Sequence, residues 1–199
     1  MSKDFSALQI VNLIAFVGCF ASFVWAMKYH FRMVDNVPFG TRVIQVVGGI
    51  FTLAHLIALL RAKHTTGLTA VTALLLYGVS FALFWTCVRI NREKPFSLAF
   101  STDQPEHLMM RGPYRYIRHP FYASYSLAWI AGTVATGQPW LLLSLVVMGA
   151  IYYHAASVEE RKFASGELAE AYEDYRQRTG MFIPRLWPAA AEAARKESA

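Results

Sequence analysis

The chain has 199 residues, 55% of them hydrophobic and only 16% charged, with a formal net charge of +6. Its length suits one domain, but so apolar a balance excludes an ordinary soluble protein. Its two cysteines, Cys19 and Cys87, form no CxxC pair or zinc spacing and read as packing residues, and the scattered histidines offer no metal site.

Five stretches carry no Asp, Glu, Lys or Arg: Leu8–Met27, Val43–Leu60, Leu68–Val88, Phe121–Gly137 and Trp140–Ser157. A helix crosses a bilayer with roughly 20 apolar residues and about 17 at the least, so all five qualify, the fourth only just. The first has no small-residue cleavage site after a short apolar core and reads as a retained helix. The expected fold is therefore all-α: a polytopic membrane protein of five transmembrane helices in a single domain over residues 1–199.

Lysine and arginine set the orientation. The first loop, the third loop and the C-terminal tail hold sixteen of the 19, and the N-terminus, second loop and fourth loop hold three. The richer side is expected to be cytoplasmic, with the N-terminus opposite. The basic residues flank apolar helices, so the positive charge reflects topology and anionic headgroups, and no nucleic-acid partner is expected. Residues 1–88 read as a three-helix scaffold. Nearly all polar chemistry falls in residues 89–199, namely a third loop of about thirty residues, a hairpin turned at "TGQPW" and a charged tail. Within the tail, "VEERKFASGELAEAYEDYRQRTG" predicts an amphipathic helix with Phe163, Leu168, Ala171, Tyr172 and Tyr175 on one face and Gly180 as its stop. That helix, the third loop and the hairpin would enclose a cytosolic cleft. The Ala-rich end, "PAAAEAARKESA", reads as frayed or surface helix.

Two polar constellations stand at the membrane rim. In "RGPYRYIRHPFY", Pro120 suits the first turn of a helix, which puts His119 near its N-cap and Arg118 just before. A helix N-terminus with arginines beside it is a ready anion site. The second is "VEER", where Glu159 and Glu160 at the end of the fifth helix would oppose the helix dipole. Because the last two long helices form a hairpin, their ends must be neighbours, which brings the Glu pair beside Arg118 and His119. A positive and a negative subsite together would suit a zwitterionic ligand. Tyr153 and Ser157 share a helical face with Glu160, and Tyr152 lies under Glu159.

The order RHP-x-Y, a Glu pair some forty residues on, then a tyrosine-bearing helix and "MFIP" resembles the isoprenylcysteine carboxyl methyltransferase family and the related membrane phospholipid methyltransferases. The likeness covers roughly residues 106–186. It implies S-adenosylmethionine at the cytosolic face and a lipophilic or lipid acceptor arriving from the bilayer. By that likeness Leu108, Met109, Gly112 and Tyr114 belong to the segment that wraps the cofactor. His119 and Pro120 line its pocket, Tyr122 supports it, and Glu159 or Glu160 binds it. Arg118 and Glu160 are then candidate catalytic residues, and His154 a candidate base for an acceptor that arrives protonated.

Two positions depart from the family. Its glycine after RHP-x-Y is Ser124 here, and the arginine expected about four residues before the Glu pair is Ala155. The second change argues against a prenylcysteine carboxylate and leaves an amine, thiol, hydroxyl or other acid. Membrane sterol and steroid reductases resemble the same half of the chain, and the arginines would suit their dinucleotide phosphates too. The Glu pair and "RTGMFIP" favour the methyltransferases.

Overall fold

A computed structural model describes residues 6–32, 36–62 and 67–185. Lys3 and the Ala-rich end lie outside the described residues. Among the described residues six α-helices follow in order: α1 Ala7–Tyr29, α2 Phe39–Arg61, α3 Gly67–Ile90, α4 Pro120–Thr136, α5 Leu142–Ala164 and α6 Ala169–Arg178. Short 3-10 turns precede α4, at Gly112–Arg115, and α5, at Pro139–Leu141. The fold is all-helical among the described residues, with two isolated bridges, Arg32 to Ser97 and Ile117 to Gly180.

Local chemistry accounts for the ends. Ser6 caps α1 reciprocally: its Oγ accepts from the Gln9 N–H and Gln9 Oε1 accepts from the Ser6 N–H. Pro120 opens α4 with His119 as N-cap, and Gly137, at φ 62°, closes it in the left-handed region that favours glycine. Outward positions on the long helices stay apolar, with Ile14, Val46, Ile50 and Leu75 each more than 60% exposed, as a surface facing lipid requires.

Among the described residues four helices are long and apolar enough to cross a membrane: α1, α2, α3 and the segment Pro139–Ala164. Helix α4 differs. Its 17 residues rise roughly 25 Å, short of the hydrocarbon core of about 30 Å. Eleven of them are buried, and the small ones (Ala123, Ser124, Ala128, Ala131, Gly132, Ala135) allow close helix approach. It is an inner helix, apolar because it faces protein. Ser124, where the resemblance leads to glycine, is fully buried without disruption, since its hydroxyl donates to Phe121 O at 2.7 Å and its carbonyl accepts from Ser80 Oγ.

Gly132 has a specific reason. A Cβ there would stand 2.3 Å from His55 Nδ1 and 3.2 Å from the Tyr77 hydroxyl, and both side chains are buried. His55 is held on its other side by Ser144, 2.9 Å from Nε2. Gly132→Ala is therefore expected to destabilise the bundle by about 1–3 kcal/mol through overpacking, measured by unfolding in mixed micelles. A variant as stable as wild type would show that His55 can move aside.

The tail departs from expectation. Helix α5 runs on to Ala164, so the Glu pair lies more than a turn before its end and clear of the unfavourable terminal dipole. The chain then breaks at 165–168, and α6 is a separate ten-residue helix. Phe163 stacks on Tyr172 at 4.8 Å across that break, and Tyr172 and Tyr175 are buried. Ala171, expected on the same face, is exposed. The break shifts the angular register, so one continuous helical face does not form.

Candidate functional site

Residues 112–119 reach their positions through three tethers. Gly112, at φ 55°, turns the chain where a Cβ would lie 2.2 Å from Ile90 Cδ1. The Tyr114 hydroxyl accepts from Asn91 Nδ2 at 2.6 Å, and its carbonyl accepts from the Tyr175 hydroxyl at 2.7 Å. Past α6 the chain returns alongside. Arg118 N donates to Gly180 O at 2.8 Å, His119 N to Met181 O at 3.0 Å, and Gly180 N to Tyr116 O at 3.1 Å. This strap seats Phe182 against the rings of His119 and Tyr122, with centroids 6.1 and 6.3 Å away.

The two rim constellations meet and pair directly. Arg118 Nε donates to Glu160 Oε1 at 2.8 Å, and His119 Nε2 stands 3.1 Å from the same oxygen. His119 Nδ1 lies 3.5 Å from Glu159 Oε2, and the Tyr122 hydroxyl donates to Glu159 Oε1 at 2.7 Å. Arg118 also donates through Nη1 to the Arg176 and Thr179 carbonyls at the end of α6. The expected separate positive and negative subsites are thus one neutralised network, because the hairpin brings the charges within hydrogen-bonding range. Glu160 pairs with Arg118 from far along the chain, while its neighbour Lys162 holds the third loop through the Ser101 and Asp103 carbonyls.

Beside this network lies a cavity of about 200 Å³. Leu108, Met109, Tyr114, Arg118, His119, Pro120, Tyr122 and Glu159 all line it, as do Tyr125, Tyr152 and Tyr172. Tyr122 and Tyr152 stack at 5.2 Å and 12°, and Trp129 Nε1 donates to the Tyr152 hydroxyl at 3.3 Å. Glu160 stands behind the lining and Gly112 outside it, each placing a neighbour that reaches the cavity.

His154 is not brought to the cavity. It sits on the exposed face of α5 with its ring 5.5 Å from Phe100, since its position on the helix turns it away from the buried Tyr152. Tyr153 is likewise 60% exposed, so only Tyr152 of the aromatic pair faces the site. Ala155 is fully buried and supplies no cation.

Sequence reasoning missed two groups. Met27, Phe31, Arg32, Thr41 and Ile44, from the ends of α1 and α2, also line the cavity. The third loop folds over it under three clamps: Arg32 N to Phe96 O, Thr41 Oγ1 to Ala99 O, and Lys162. Polar residues at the ends of apolar segments, Arg32 and Thr41, were the available signal. Phe100 adopts a positive φ of 61° and lies against Gly40, where a Cβ would meet its ring.

Burial pulls the His119 pKa down, but its bonds to Glu159 and Glu160 and their charges outweigh burial, leaving it above the ordinary 6.5. A folded pKa above the unfolded one favours the folded state while histidine is protonated. That contribution is complete below about pH 6.5 and is lost as pH rises through the elevated folded value. Thermal midpoints should therefore fall from pH 6 to pH 9 in wild type and fall less in His119→Gln. Parallel pH profiles for the two proteins would contradict this.

A search of curated proteins finds no match. The family described as phospholipid methyltransferase matches residues 67–172, which is more than half the chain and runs from the start of α3 through the Glu pair to Tyr172. On that match, which spans most of the cavity's lining and carries RHP-x-Y and Glu159–Glu160 in order, the chain belongs to the phospholipid methyltransferase family of methyltransferases.

Proposed function

We propose that the protein transfers a methyl group from S-adenosylmethionine to a lipophilic acceptor at the cytosolic face of the membrane. In this reading α4 completes a five-helix membrane domain, the N-terminus faces away from the cytosol, and the cavity opens at the cytosolic rim. The observation that carries the reading is the joining of Glu159, His119 and three tyrosines, Tyr122, Tyr125 and Tyr152, around one cavity.

The chemistry of this donor set fits the cofactor. Glu159 accepts from Tyr122 through Oε1 and presents a second oxygen, suited to ribose hydroxyls or an ammonium. Aromatic faces attract a cation without competing as nucleophiles, which suits a sulfonium. When bound, the cofactor supplies an already activated methyl group. The protein's contribution is then positioning and exclusion of water. Leu108 and Met109 close the cavity from the third loop, Phe182 and Pro120 close the rim, and the Arg118–Glu160 pair holds His119 and the end of α6 in register. Arg118 and Glu160 are thus positioning residues.

Calorimetry with S-adenosylmethionine and S-adenosylhomocysteine on detergent-purified protein tests this. Micromolar binding is expected in wild type, weakened at least about tenfold in His119→Ala and Glu159→Ala. A folded wild type that binds neither compound but binds NADPH would replace this reading with a reductase.

A further inference from the structure

We propose that His107 takes a proton from the methyl acceptor, so that the acceptor is a protic nucleophile, a thiol before an amine. This rests on the methyltransferase reading above.

His107 lines the cavity from the third loop. Its ring lies nearly parallel to Phe96, 5.6 Å away at 13°, and Phe96 in turn packs edge-on against Tyr114. The imidazole is therefore held in place by ring contacts. Among the described residues no hydrogen bond or ion pair reaches either ring nitrogen: Nε2 is sealed without a partner, which leaves Nδ1 to reach open space.

The other ionisable groups of the lining are committed or unsuited. Glu159 is bonded to Tyr122 and His119, Arg118 to Glu160, Arg32 to Glu106, and Lys162 to loop carbonyls. Asp103 accepts from Ser97, and a carboxylate is in any case the weaker base by about two pK units. Among the described residues Tyr125 has no hydrogen-bond partner and the Tyr172 hydroxyl is buried without one, but phenols of ordinary pKa about 10 keep their protons at neutrality. The charged groups nearest His107 are Lys94, Glu106 and Arg32. Burial first, then Lys94, hold its pKa below 6.5, so it is neutral and able to accept a proton at pH 7.

The commitments also bear on the acceptor. Every lysine and arginine among the described lining residues already has a partner, and Ala155 adds none, so among the described residues no unpaired cation is left to hold an acceptor carboxylate or phosphate beside the nucleophile. Of the remaining acceptors a thiol, with an ordinary pKa of about 8.5, is closest to imidazole and an ammonium next. In the reaction the acceptor's X–H bond breaks and its proton passes to Nδ1 of His107. The X–CH3 bond forms as the S–CH3 bond breaks, with the bonding pair staying on sulfur to give a neutral thioether. The imidazolium then releases its proton to solvent.

The test compares wild type with His107→Gln in detergent. Calorimetry with S-adenosylhomocysteine comes first: absence of binding in folded wild type would overturn the cofactor reading beneath this proposal. With equal binding in the two proteins, dodecanethiol, dodecylamine and dodecanoate are offered with methyl-labelled cofactor. Thiol or amine is expected to be methylated, with kcat/KM falling about a hundredfold in His107→Gln and the acid limb below pH 6.5 disappearing. Dodecanoate as the preferred acceptor, or an unchanged acid limb in the variant, would overturn the proposal. If none of the three turns over, the His107 imidazole resonance in the S-adenosylhomocysteine complex decides. A shift on adding thiol or amine supports the assignment and no shift refutes it.

Discussion

Gly180→Ala is expected to dismantle the rim and weaken cofactor binding at least about tenfold, with a loss of about 2 kcal/mol of stability. An added Cβ would stand 1.8 Å from Ile183 O and 3.0 Å from its carbonyl carbon. Those are backbone atoms, which cannot swing aside as a side chain can. Relief requires moving the strap that bonds to Arg118 and His119 and carries Phe182 onto the His119 ring. Gly149→Ala is the control. It lies within α5 with nothing within 4 Å of the new methyl, and should be neutral or slightly stabilising because alanine favours helix. Unfolding in mixed micelles and S-adenosylhomocysteine calorimetry on both variants measure the effect. If Gly180→Ala tracks Gly149→Ala, the strap has no role in shaping the site.

The second large effect is expected from Glu160→Ala. Arg118 and Glu160 retain only 11% and 15% of their side-chain exposure, and Glu160 also faces His119. Removing the carboxylate leaves a guanidinium and a histidine side by side with little water to screen them. Breaking a buried pair from one side costs about 3–5 kcal/mol, and the partial exposure here reduces that to about 2. Arg118 keeps its two carbonyl partners at the end of α6, so α6 should stay docked while His119 loses one of the two carboxylates that raise its pKa and keeps Glu159. The pair Arg118→Met with Glu160→Met should cost less than either single change, because no unpaired charge remains. Additive losses would mean that the two residues stabilise the rim independently.

Much of this protein was legible in the sequence, and the reason differs by feature. Hydropathy accumulates along a contiguous segment, so α1, α2, α3 and α5 emerge from composition alone, within a few residues at most ends. Pro120 and Gly137 mark the ends of α4 because proline and glycine constrain the backbone locally. The neighbourhood of the Glu pair and "RHP" followed from hairpin connectivity. His154 lies outside the cavity lining for a simple reason: an ionisable residue in an apolar helix reaches such a site only if it faces inward, and sequence does not say which way α5 is turned. Ala171 failed because the break at 165–168 resets the helical phase.

By itself, then, the sequence determined the helical membrane architecture, the rim that gathers the polar residues, and the methyltransferase family signature. Each depends on residue type and on spacing along the chain. The tertiary structure decided which charge neutralises which, that α4 is an inner helix, that α1 and α2 help line the cavity, and that among the described residues His107 has no polar partner inside it. Those are contacts between residues distant in sequence, set by how the helices are turned and how the third loop is clamped, and no local pattern encodes them.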